Sequence, residues 1–290
     1  MWQALKIGGF TLAAVILIVA AYLGVLFYPG VLFAHQIEYN SFKVYSQQEF
    51  GQGIEGILDD IETALVTSEI YDASLQHDLF FGYGNRPFGI VQDIRLWLVS
   101  RAIPGLQPVL TYNASAPPRF NHVITFRIPD IGGNALRHPD ETSSINMTQV
   151  LTHEVVHTFM LARLGIQRVA RSPMWKQEGY ADYVAASTTI LADPNYTIGA
   201  SVERILNHDL SWMQNETGGF TPMQRGCSQL DFIENEQGLG WPTCYYIARV
   251  LIEYLTDIKE LSFDDLMSQS VTDTETLNEL ISAYRAGNLE

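Results

Sequence analysis

Cysteine and positive charge are both scarce in this chain. Two cysteines occur among 290 residues, Cys227 and Cys244, and neither belongs to a CxxC pair. A structural zinc knuckle of paired thiolates is therefore not expected. In a reducing compartment the two would be free thiols, and in an oxidising one Cys227 and Cys244 can form a disulfide across a short loop. Lysine and arginine together number 17 against 32 acidic residues, a net charge of −15. A chain so acidic is repelled by polyanions, which excludes nucleic acid as a partner. No basic cluster marks a peripheral membrane patch, and the negative charge is read as a solubility feature. Internal repeats and low-complexity tracts are also missing.

Apolar residues, by contrast, make up 47% of the chain and charged residues only 17%. That is enough for one large domain or for two lobes with a shared core. Residues 7–28, IGGFTLAAVILIVAAYLGVLFY, form an uncharged run of 22. At about 1.5 Å per residue a helix of this length spans a hydrocarbon core of roughly 30 Å. Lys6 precedes the run and the first charge after it is Glu38. The positive-inside rule places residues 1–6 in the cytoplasm and the rest of the chain in a periplasmic or extracellular space. A cleaved signal peptide is the rival reading, but the apolar run is long and no small-x-small site follows it. The expectation is a single-pass anchor. Ala13, Ala14, Ala20, Ala21 and Gly24 would permit close packing against another membrane helix. Sequons at Asn113, Asn146, Asn195 and Asn215 add little in a chain rich in Ser and Thr.

Beyond the run, residues 40–290 read as one domain of α+β class. Strands are expected at 42–46 (FKVYS), 77–84 (HDLFFGYG) and 122–131 (HVITFRIPDI), from alternating or β-branched patterns. Helical periodicity covers 54–70 and 90–103, and 104–119 reads as a loop. A helix follows, capped by Ser144 or Asn146 and ended by Gly165; the next starts at Ser172-Pro173 and runs to about 187. Helices are then expected around 199–207, 242–257, 262–269 and 274–285, with Ser262-Phe-Asp-Asp resembling a capping box. The division expected is an α/β lobe over about 40–165 and a helical lobe over about 166–290.

The junction carries the chemistry. Residues 151–159 read LTHEVVHTF. On a helix His153 and His157 differ by about 40° in azimuth, so both imidazoles leave one face, one turn apart. Two such rings can hold one Zn²⁺. Glu154 lies about 100° round from His153, where it reaches a water without being a ligand. A buried helix with hydrogen-bonded histidines has the same pattern, so a third ligand is needed. It is offered by PMWKQEGYADY at 173–183, where Glu178 and Asp182 stand one turn apart. An isolated ExxxD is ordinarily a solvated helix face. Here Trp175, Tyr180, Tyr183 and Val184 flank it, and a carboxylate on the buried side of such a helix needs a partner. Asp182 can then accept the free N–H of a liganding histidine.

HEVVH followed by WKQEGYADY resembles the gluzincin zinc metallopeptidases, in particular small proteins of the peptidase MA-like kind. The resemblance covers about 35 residues around these two helices. It implies a zincin-like fold and one Zn²⁺ held by His153, His157 and Glu178. Glu154 would be the general base and Asp182 would support a liganding histidine. It further implies that an edge strand, here 122–128, binds a polypeptide substrate in extended form. Gluzincins usually add a Tyr or His from the C-terminal lobe to stabilise the oxyanion. No unmistakable counterpart stands out, and Tyr245, Tyr246 and His208 are the candidates. A GxMEN exopeptidase signature is missing, which points to an endopeptidase. The competing expectation is a catalytically inactive zincin-fold binding or assembly protein at the membrane.

Overall fold

The computed structural model describes residues 16–17, 20–22, 24–25, 28–51, 53–82, 85–91, 94, 114–115, 123–126, 147–169, 171–207 and 241–289. They fall into two compact units, Met1–Ile54 with Gln76–Ala135, and Glu55–Leu75 with Leu136–Glu290. The class is mixed α+β, with one small sheet and many helices. The boundary expected near 165 lies inside the second unit. That unit also takes the helix after Ile54, because contacts group these helices together regardless of their distance along the chain.

The first unit holds a five-stranded sheet in the order β1-β2-β3-β5-β4. Strands β1 (His35–Tyr39) and β2 (Phe42–Ser46) form an antiparallel hairpin. Its turn puts Asn40 at φ +51°, a conformation asparagine tolerates better than most residues. Strand β3 (His77–Phe81) runs parallel to β2, and β5 (Val123–Phe126) runs parallel to β3. The two-residue strand β4 (Ala114–Ser115) pairs antiparallel to β5. Two corrections to the sequence reading follow. The stretch 104–119 contains a strand, and β5 is not an edge, since Thr125 and Phe126 pair with β4 on one side and with β3 on the other. Strands β2 and β3 are buried on nearly every residue, as parallel pairing demands. Tyr45 and Phe80 stack at 4.6 Å, and Phe88, Leu32 and Phe33 complete the cluster. The helical turns at 86–91 begin earlier than the periodicity indicated, because Asn85 accepts a hydrogen bond from the Phe88 N–H and caps them.

The second unit is helical, with α1 at Ile54–Val66, α2 at Met147–Leu164, α3 at Ile166–Val169, α4 at Met174–Ala186 and α5 at Ile198–Asn207. It continues with α6 at Trp241–Glu253, extended by a π-helical turn at Tyr254–Ile258, then α7 at Phe263–Ser268 and α8 at Asp273–Arg285. Gly165, at φ +74°, ends α2 as its sequence position suggested. Ser172 does not cap α4: its hydroxyl donates back to the Arg168 carbonyl, and Pro173 occupies the cap position. Ser262 caps α7, but the reciprocal capping box lies at the start of α8, between Thr272 and Glu275. Among the described residues no helix is long and apolar enough to cross a membrane, and most of 7–28 falls outside them. The proposed caps Ser144 and Asn146 also lie outside the described residues.

Helix α4 is central to the second unit. Nine of its 13 residues are buried, and it packs against both α2 and α6. Even Lys176 is fully buried; its ammonium donates to the carbonyls of Leu266 (2.8 Å) and Gln269 (2.7 Å) at the end of α7. Burial lowers its pKa, and the two carbonyls compensate the charge. Lys176→Met should lower stability by about 1–3 kcal/mol, since it strands carbonyls that only a long donor can reach. Equilibrium urea unfolding of the two chains measures this, and an unchanged midpoint would contradict the assignment.

Candidate metal centre

The site forms where α2 and α4 face each other. On α2 the apolar side, Val155, Val156, Phe159 and Met160, is at most 1% exposed. That burial fixes the rotation of the helix and presents His153 and His157 one turn apart. On α4, Trp175, Tyr180, Ala181 and Val184 do the same for Glu178 and Asp182. The side chains meet across this interface. His153 Nε2 lies 3.1 Å from Glu178 Oε2, His157 Nε2 lies 3.1 Å from His153 Nε2, and His157 Nε2 lies 3.5 Å from the same carboxylate oxygen.

These separations test whether an ion fits. Donors held at about 2.0–2.1 Å from one tetrahedral ion stand roughly 3.3 Å apart. The observed 3.1, 3.1 and 3.5 Å match that spacing. Three donor atoms from His153, His157 and Glu178 thus converge so that they can hold one metal ion. Behind them Asp182 Oδ1 lies 2.7 Å from His153 Nδ1. With Nδ1–H donating to that carboxylate, the Nε2 lone pair is left for an ion, which is the tautomer a ligand needs.

Electrostatics follow from the same crowding. Burial opposes a charge on His153, but the carboxylates of Asp182 and Glu178 outweigh it and raise the pKa well above the ordinary value. Burial likewise opposes ionisation of Glu178, yet the positive field and hydrogen bonds of His157 and His153 hold its pKa far below the carboxylate range. Glu154 is not one of the three donors. Burial raises its pKa; the histidines pull it down, and Glu178 and Asp182 push it up again. The net shift is upward.

Tyr245, on α6, joins the site: its ring centroid lies 5.6 Å from that of His153, and its hydroxyl bonds to Glu178. Burial and the nearby carboxylates of Glu178, Asp182 and Glu154 raise its pKa well above the phenol value. Tyr246 points elsewhere, with Arg249 and Arg204 over its ring at 5.1 and 5.2 Å. His208 and Cys227, and the side chain of Cys244, lie outside the described residues, and the expected Cys227–Cys244 disulfide lies there with them. The sequence reading also missed Gly179, where a Cβ would come within 2.6 Å of the Ala248 carbonyl oxygen. Its signal was available, a glycine inside a helix next to a candidate ligand. No protein-family model, curated protein or solved structure matches this chain.

Titration of the metal-free chain with a divalent transition ion should raise its thermal midpoint. At a hundredfold excess over Kd the gain is about 2.7 kcal/mol, and a chelator should reverse it. His153→Ala should abolish the shift, and Asp182→Asn should weaken affinity by about 10–100-fold. Scanning calorimetry with and without the ion reads both, and an unmoved midpoint in the parent chain would refute the site.

Proposed function

We propose that this chain is a membrane-anchored zinc metallopeptidase that hydrolyses peptide bonds. The observation that carries the reading is the convergence of His153, His157 and Glu178 at 3.1–3.5 Å with Asp182 behind His153. Two imidazoles and one carboxylate are a donor set suited to Zn²⁺, and three protein ligands leave a position open, as in catalytic sites. When bound, zinc supplies a Lewis acid that polarises a carbonyl and lowers the pKa of water toward neutrality.

The chain's own groups supply the remaining steps. Glu154 follows His153 directly, contributes no donor to the metal set and has a pKa raised by its surroundings. A carboxylate beside the donor set but outside it can carry a proton between water and a leaving group. It accepts a proton from the attacking water and delivers it to the leaving amine. Asp182 keeps His153 in the tautomer and orientation required. The Tyr245 hydroxyl, beside Glu178, would turn its one O–H from that carboxylate to the negative charge that develops on the carbonyl oxygen. Anchoring through residues 7–28, with the body outside the cytoplasm, rests on the uncharged run and on Lys6. An extended polypeptide is the proposed substrate.

A zincin-like binding protein without turnover would hold the same ion but would have no use for Glu154. Digestion of a broad peptide library by the full chain in detergent, with and without chelator, separates the two. Chelator-sensitive cleavage is expected. Glu154→Gln should still bind zinc while losing turnover by about 10²–10⁴-fold. Full activity in that variant would exclude the mechanism.

A further inference from the structure

Gly179 lies in the interior of α4, directly after Glu178. Glycine there costs a helix about 1 kcal/mol relative to alanine, so a buried helical glycine calls for a steric reason. The facing helix supplies one. A Cβ at position 179 would stand 2.6 Å from the carbonyl oxygen of Ala248, 2.8 Å from its carbonyl carbon and 2.8 Å from Ile252 Cγ1. Two of these three atoms are backbone and cannot rotate aside. Gly56, inside α1, shows the contrast, with nothing within 4 Å of a Cβ.

The contacts between the two helices ascend together. Glu178 meets Tyr245, Gly179 meets Ala248 and Ile252, and the Tyr183 hydroxyl donates to Asp257 at 2.6 Å. Helices α4 and α6 therefore run in the same direction and come into tight backbone contact at Gly179. Ala248 is three residues past Tyr245, about 4.5 Å along the helix axis. The spacing of the two backbones at this crossing thus sets how far the Tyr245 hydroxyl stands from Glu178. On its other side α4 is tied to α2 by the bonds of His153 to Asp182 and Glu178, and Gln149 reaches Thr189 at 2.7 Å. A wedge at position 179 consequently displaces α6 and leaves the α2–α4 pair in place.

We propose that Gly179 is a positioning residue. By allowing α6 into backbone contact with α4, it keeps the Tyr245 hydroxyl at Glu178 and its ring beside that of His153. Its consequence for turnover rests on the peptidase reading above. Its structural content does not.

A methyl group at position 179 must part the helices by on the order of 1 Å to regain ordinary contact, and a misplacement of that size can cost about a hundredfold in rate. The test is the full chain carrying Gly179→Ala. Its crystal structure should show Tyr245 withdrawn from Glu178 with His153, His157 and Glu178 still converged, and Co²⁺ affinity should match the parent. Turnover should fall by about 10–100-fold in kcat with KM little changed. Added to Tyr245→Phe, the glycine replacement should cost almost nothing more, because both act through one hydroxyl. Tyr245 unmoved in the variant, or losses that multiply in the double variant, would overturn the proposal. If Gly179→Ala does not fold, Gly179→Ala/Ile252→Ala removes the side-chain part of the clash and carries the same reading. Failure of both to fold would also overturn it, since the glycine would then serve the whole fold and not one tyrosine. A parent chain without chelator-sensitive cleavage would sink the peptidase reading alone, while the displacement of Tyr245 would still decide this one.

Discussion

A buried carboxylate with no positive partner is among the costliest arrangements a protein interior can contain. Glu178 is 7% exposed, on a helix buried over most of its surface. The rest of the second unit answers that constraint. Two imidazoles from α2 face the carboxylate, a second carboxylate braces one imidazole, and a tyrosine from α6 donates to it. A hydrophobic isostere at 178 would pack more cheaply. Retaining the charge makes sense where a cation is to be held, and the three donor atoms stand at the spacing one ion requires.

Holding charge inside a helical bundle demands that the supporting helix be locked. Helix α4 is locked from three directions by different means. Toward α2 the polar site itself provides the contacts. Toward α6 the lock is steric, through the small residue at 179. Toward α7 it is Lys176, whose ammonium replaces water with two carbonyls. The lysine and the glutamate sit two residues apart on one helix, each buried and each satisfied by a separate neighbour. Three separate neighbours thus support the helix that carries Glu178, and a metal site needs such support because donor distances tolerate only about 0.2 Å of error.

Much of this was legible in the sequence, and the limits have physical causes. HEVVH and the ExxxD on the next helix could be paired because helical periodicity converts spacing into direction; the strands at 42–46 and 77–81 could be read because their apolar pattern is strong. The pairing partner of strand 123–126 could not, since two residues at 114–115 are too few to leave a periodic signal. Contacts between residues far apart in the chain, such as Ser68 Oγ with the Tyr180 hydroxyl at 3.2 Å, leave no periodic signal either. Tyr245 and Tyr246 were indistinguishable in one dimension. Adjacent residues on a helix differ by about 100°, so one turns toward Glu178 while the other turns toward Arg204 and Arg249.

The two glutamates of the site show how one interior can shift the same side chain in opposite directions. Burial penalises the charge on both. Glu178 receives the full compensation of His157 and His153, so its pKa falls. Glu154 shares those histidines only through space and also feels the negative charge of Glu178 and Asp182, so its pKa rises. A carboxylate held ionised suits a ligand, and one whose pKa is raised suits a proton carrier. The order follows from geometry: Glu178 directs an oxygen between two rings, and Glu154 leaves its helix about 100° round from His153 and about 60° from His157.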